Sequence, residues 1–279
     1  MMWPGVLRPP GPAIGAQCWH KDPSTSAVIC YEHPLNERIR TLMRLEDLYR
    51  RALFFTAQEG PADHHAALLA LFEIVDVAGR ADLKTDLLQE LERQRQLLMP
   101  LKHNPAIAAD ALDAVLAEID QVASRLLAQA GKVGQHLRDN EWLMAIKQRT
   151  AIPGGVCEFD LPAYHYWLHL APTARQRDLE GWLAPLLPIH SGLGIILRLL
   201  RDNGKTSRQV AYHGVFQSML TTTKVAQLLR LSLGADLPCV PEISANKYAL
   251  NIRFVGVNGM DRGSIYDGDV EFELMFCNL

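Results

Sequence analysis

The hydrophobic period of this chain changes once. Ahead of Asn203-Gly204, apolar residues recur at intervals of three and four; after it, they alternate at every second position. A period near 3.6 stacks side chains on one face of an α-helix, and a period of two puts them on one face of a strand. The switch commits the chain to helices first and to half-buried strands afterwards, which is the α+β class.

The helical part reads in segments. Leu35, Ile39, Leu42, Tyr49 and Leu53 keep helical spacing behind Pro34, which suits a first turn. Leu68, Leu71, Phe72, Val75 and Val77 predict a second helix ending near Gly79. A third runs from about Asp82 to Leu98 with Leu83, Leu87, Leu91 and Leu98 inward, and Pro100 and Pro105 close it. Ile107 to Leu126 gives a fourth, stopped at Gly131, and Leu137 to Arg149 another. Pro153-Gly154-Gly155 is a break. Beyond it Asp160 is placed to cap a helix with Pro162 in its first turn. Helices over Gln176–Leu186 and Ile189–Arg201 follow, with Gly204 as the expected C-cap.

From there Leu229, Leu231 and Leu233 share one face, as do Leu250, Ile252 and Phe254, and then Val270, Phe272, Leu274 and Phe276. Asn258-Gly259 and Asp267-Gly268 are turn signals. No helical crossover separates these runs, so a mostly antiparallel sheet is expected. The expected organisation is a flexible extension over residues 1–27, which hold Pro4, Pro9, Pro10, Pro12 and Pro23, a mainly helical domain over 28–204, and a mainly β domain over 205–279 packed against it.

With 279 residues, 48% hydrophobic and 21% charged, the composition is that of a globular protein with a sizeable core. Net charge is −3, and basic residues are interleaved with acids along nearly every helix, which argues against a general nucleic-acid binder. The cysteines, Cys18, Cys30, Cys157, Cys239 and Cys277, form no CxxC pair and are odd in number, so a reducing cytosol is expected. No apolar run reaches the ~20 residues that span a bilayer, and no signal-peptide core precedes Val28. The reading is therefore a cytoplasmic protein without membrane insertion.

Catalytic motifs are incomplete. His165 and His169 stand one helical turn apart, a spacing zinc uses, but Tyr166 occupies the position where a zincin carries its general base. A metal-dependent enzyme using His165 and His169 is thus the rival reading, and a generic cytosolic scaffold another. Gly204-Lys205-Thr206 resembles the end of a phosphate loop, with Leu199 where the leading glycine belongs. Gly192 and Gly194 fall inside a helical pattern, which points to close helix packing. No enzyme, no cofactor and no metal is the expectation.

Arginines on polar faces carry more information. Arg40 and Arg44 are four apart on the first helix; Arg80 precedes the third; Arg138 opens a later one; Arg230, Lys247 and Arg253 belong to the sheet. The guanidinium fork engages carboxylates in a bidentate way, so such residues suit a binding site. An internal alternative is that Arg230 and Arg253 face Glu271 and Glu273 across strands.

Several segments stand in a familiar order. They are Tyr31-Glu32-His33-Pro34-Leu35-Asn36-Glu37-Arg38-Ile39-Arg40, Arg80-Ala81-Asp82-Leu83, Gly134-Gln135-His136-Leu137-Arg138, Ile152-Pro153-Gly154-Gly155, Trp167-Leu168-His169-Leu170, Leu229-Arg230-Leu231 and Ile252-Arg253-Phe254. Together they resemble the ZapD family of bacterial division proteins over roughly Val28 to Phe276. The resemblance implies a helical domain followed by a β domain, a homodimer, and binding of the tubulin-like protein FtsZ at mid-cell through its C-terminal tail. It further implies that filaments are bundled to stabilise the division ring. It puts Arg40, Arg44, Arg80, Arg138, Arg230, Lys247 and Arg253 at the partner site, with His165 at its mouth. The chain departs from the family pattern at Glu141 and Ala249, where further basic residues are implied.

Overall fold

The computed structural model describes residues 27–79, 82–104, 108–219, 226–246, 248–257 and 263–279. In chain order the elements are β1 (Val28–Pro34), α1 (Glu37–Thr56), α2 (Pro61–Ala78), α3 (Leu83–Leu98), α4 (Ala109–Ala128), α5 (Gln135–Arg138), α6 (Glu141–Thr150), α7 (Pro162–Leu168), α8 (Pro172–Leu183) and α9 (Leu187–Asp202). The strands β2 (Gly204–Ala211), β3 (Val215–Met219), β4 (Leu228–Gly234), β5 (Cys239–Ala245), β6 (Ala249–Gly256) and β7 (Val270–Cys277) follow. The α+β class holds. One compact unit comprises residues 40–197, and a second joins the described residues through Ile39 to Arg198–Leu279.

In the helical unit each long helix presents an apolar stripe. Leu42, Leu45 and Tyr49 of α1, Leu68, Leu71 and Val75 of α2, Leu87 and Leu91 of α3, and Ile119 and Leu126 of α4 are all buried. Burial of each such side chain contributes about 1.5–3 kcal/mol. Gly192 of α9 faces Leu91, Val122 and Leu126, but a Cβ there would meet them at ordinary contact distances of 3.5–3.7 Å, and one at Gly194 would meet nothing, so close packing does not require either glycine. Trp142, Tyr164, Trp167 and Trp182 form an aromatic cluster with ring centroids 5.6–6.1 Å apart.

Several expectations shift. Val28–Pro34 is a strand and not the entry to a helix: β1 pairs antiparallel with β4, from Val28 opposite Gly234 to Pro34 opposite Leu228. Val28, Ile29 and Tyr31 favour a pleated surface. Helix α1 begins only after Asn36, whose Oδ1 accepts the Ile39 amide at 2.8 Å as an N-cap. The segment Leu137–Arg149 is two helices, because Asn140 Oδ1 accepts the Leu143 amide at 3.0 Å and starts α6 afresh. Asp160 caps nothing: Leu161 holds the cap position of α7, and the Asp160 carboxylate lies 3.3 Å from Arg149. Gly204 opens β2, where a Cβ would come within 2.5 Å of Met275. The expected turn at Asn258-Gly259 lies outside the described residues, as does the extension up to residue 26.

The helical stretch Pro172–Asp202 is long enough to cross a membrane, and its most apolar window reaches a mean hydropathy of 1.6. Sequence reading expected no apolar run of about 20 residues. Half of that window is buried within the fold, with Leu186, Ile189, Leu193, Ile196 and Leu197 in the core.

Among the described residues the β unit holds two antiparallel sheets, with strand orders β1-β4-β7-β2 and β3-β6-β5. They face one another across a core of Leu229, Leu231, Leu233, Leu250, Ile252, Phe254, Val270, Phe272 and Leu274. Phe272 bridges the sheets, its ring 5.3 Å from Phe216 and 5.1 Å from Phe254. The alternation that buries these residues sends their neighbours outward on both sheets.

Candidate functional site

The outward face of β3-β6-β5 is polar and regular. Arg253 on the central strand stands opposite Val215 of β3 and Glu242 of β5. One step along, Asn251 stands opposite Gln217 and Ser244. These six residues and Ile243 line an open cleft of about 540 Å³. Hydrophobic alternation builds it: Leu250, Ile252 and Phe254 point into the core with 0% exposure, so Asn251 and Arg253 must point out. Pro241 fits β5 because that strand is at the sheet edge, where a missing N–H leaves no gap in a ladder.

The side chains of Arg253 and Glu242 are exposed, and neither joins an ion pair among the described residues. An anticipated pairing of Arg253 with Glu271 or Glu273 does not form, since those residues belong to the other sheet. Glu273 stands beside Arg208 at 3.8 Å.

Arg230 behaves differently. It projects from the outer face of β1-β4-β7-β2, with Met275 opposite it on β7. Its guanidinium is 3.0 Å from Glu32, and Arg201 grips the same carboxylate at 2.8 and 2.9 Å. One buried-edge carboxylate thus ties β1, β4 and the end of α9 together. Arg230 and Arg253 lie on opposite outer faces of the sandwich and share no surface.

Within the helical unit Arg138 is committed to backbone. It donates to Val133 O at 2.7 Å and to Val75 O at 3.0 Å, closing the C-terminus of α2. Arg44 is exposed on α1 and Arg40 half-buried beside it. His165 on α7 lies 3.7 Å from Glu158, and its ring centroid is 4.3 Å from that of His169. His169 Nδ1 is taken by the His165 carbonyl at 2.8 Å, and among the described residues no group of three or more His, Cys, Asp or Glu is placed to hold a metal. Lys205 and Thr206 lie on β2, which excludes a phosphate-loop conformation there. Arg80 and Lys247 lie outside the described residues.

Sequence reasoning did not identify Gln217, Glu242 or Ser244, because it did not resolve β3 and β5. The signal was present in Val240-Pro241-Glu242-Ile243-Ser244, which alternates once Pro241 is allowed at an edge.

The family model for ZapD, described as a cell division protein, matches residues 43–253. The chain belongs to the ZapD family. Curated relatives match over a greater length. The cell division protein ZapD of Aromatoleum aromaticum is 57% identical over 252 residues, covering 90% of this chain and 98% of the relative. That of Nitrosomonas europaea is 54% identical, covering 90% and 96%, and that of Dechloromonas aromatica 52%, covering 90% and 100%. A ZapD chain acts in cell division, and the resemblance drawn from ordered motifs is thereby sustained.

Proposed function

We propose that this chain binds FtsZ through its C-terminal tail and, as a homodimer, cross-links FtsZ filaments at the division ring in the cytoplasm. The observation that carries the reading is Arg253: a guanidinium on a rigid central strand, exposed, without an ion-pair partner among the described residues, and set in a polar cleft. A fixed, planar donor fork of that kind suits a peptide carboxylate. Arg44, exposed on α1, is a second candidate contact. Arg138 and Arg230 are already engaged inside the fold, so their contribution is to hold it. The role is one of assembly, without catalysis or cofactor.

Bundling follows from symmetry and number. A two-fold dimer offers the same site twice, facing different filaments. A filament presents many tails, so contacts that are individually weak become cohesive through effective concentration. Sedimentation with polymerising FtsZ tests the proposal: the chain pellets with full-length filaments and stays in the supernatant with tailless ones. Equal pelleting with both removes the tail from the mechanism. A variant held monomeric that still bundles removes bivalency.

A further inference from the structure

The cleft on β3-β6-β5 carries a charge of each sign. Arg253 and Glu242 occupy directly opposed positions on neighbouring strands, and Gln217, Asn251 and Ser244 form the row beside them. None of these five side chains makes a hydrogen bond or ion pair among the described residues. Their hydrogen-bonding capacity is unspent, on a sheet whose other face is locked into the core.

We propose that this face docks an extended peptide segment of mixed charge, Arg253 taking a carboxylate of the segment and Glu242 a cationic side chain next to it. The proposal rests on the peptide-binding reading above and deepens it by assigning the chemistry of the segment. Opposed positions on antiparallel strands hold their Cβ atoms about 5 Å apart. Side chains on one side of an extended chain repeat at about 6.7 Å. An acidic and a basic residue two positions apart therefore reach Arg253 and Glu242 together when the segment crosses the strands. The adjacent row serves the segment's backbone. Gln217 and Asn251 each donate and accept, and Ser244 does the same through its hydroxyl, so both N–H and C=O groups find partners.

Glu242 also sets what is refused. A uniformly acidic segment, or a polyanion, gains Arg253 but meets a carboxylate one strand away. A uniformly basic one gains Glu242 and meets the guanidinium. Selectivity for mixed charge thus comes from one attractive and one repulsive contact against each single-sign competitor.

The test uses the isotopically labelled full chain and reads the side-chain amide resonances of Gln217 and Asn251. Three serine-based peptides of equal length serve as probes. One holds Asp and Lys two positions apart, one holds two Asp, and one holds two Lys. The mixed peptide is expected to shift both resonances saturably at a concentration about tenfold below either single-sign peptide. Glu242→Gln abolishes the preference over the two-Asp peptide, and Arg253→Gln abolishes that over the two-Lys peptide; an unchanged melting curve shows each variant folded. Equal or tighter binding of a single-sign peptide, or no shift with the mixed one, overturns the proposal. That outcome leaves FtsZ pelleting to stand or fall by its own experiment.

Discussion

Nε of Arg175 donates to Nδ1 of His64 at 2.7 Å inside the helical unit, where Arg175 is 3% exposed and His64 fully buried. Three further guanidinium donors go to the carbonyls of Glu59, Leu168 and Leu170 at 2.5–2.6 Å. His64 in turn reaches the Gln58 carbonyl through Nε2 at 2.7 Å, which places its proton there and leaves Nδ1 to accept. One side chain thereby fastens the start of α2 to the loop between α7 and α8.

Arg175→Met removes every one of those donors, leaving the buried His64 nitrogen without a partner and the part-buried carbonyls of Glu59, Leu168 and Leu170 without this one. Each unsatisfied group costs about 1–3 kcal/mol, so a loss of at least about 3 kcal/mol is expected. Arg175→Lys fails nearly as badly, because an ammonium cannot reproduce the fork. Chemical denaturation of the variants measures it; a change within about 0.5 kcal/mol contradicts the role.

Acid destabilises the helical unit. Burial holds the His65 imidazole below its ordinary value, and burial does the same at His190, partly opposed by Glu46. A base whose folded pKa is depressed is neutral in the fold, while the unfolded chain takes up the proton first. Stability is then complete above about 6.5 and is lost as pH falls below it. Melting temperature is expected to drop between pH 7.5 and pH 5.5, and a His65→Gln/His190→Gln variant to show a shallower drop.

Arg138 and Arg253 separate a structural from a binding role. Arg138→Met takes one donor from each of the Val133 and Val75 carbonyls, the latter keeping the Gly79 amide, and lowers the melting temperature, costing about 1–3 kcal/mol. Arg253→Glu sits on an exposed strand face, changes stability by about 0.5 kcal/mol or less, and weakens FtsZ pelleting. Thermal melts paired with sedimentation read both quantities on the same samples.

Thiol reactivity follows burial. Cys157 is exposed, whereas Cys239 and Cys277 are buried, and burial pushes the Cys277 thiol up to about 11. Brief alkylation of the folded chain at pH 8 modifies Cys157 and spares Cys239 and Cys277, as peptide mass spectrometry reports. Denaturant makes all of them reactive.

The helices were readable because each long one carries an unbroken apolar stripe, as in Leu83, Leu87 and Leu91 of α3. Strands β4, β6 and β7 were readable because one of their faces is wholly apolar. Strand β1 was not, since Glu32, His33 and Pro34 break its alternation and only pairing with β4 makes it a strand. Strand β2, with Lys205, Thr206, Ser207, Arg208 and Gln209 in succession, has too little apolar surface to announce itself. At the cleft, sequence named Arg253 but not its neighbours, because register across β3, β6 and β5 is a tertiary property. It also could not foresee that Glu32 and the Val75 carbonyl engage Arg230 and Arg138, since those contacts join residues far apart in the chain.

Strand β7 ends two residues short of the C-terminus, yet it lies between β4 and β2 and supplies Val270, Phe272 and Leu274 to the core. Residues 40–197 form a compact unit of their own and leave the ribosome well before it. The sheet, by contrast, cannot close until Val270–Cys277 has been translated. Any premature stop ahead of Val270 yields a helical body attached to unpaired strand edges, a species suited to aggregation and quality control rather than to partial activity.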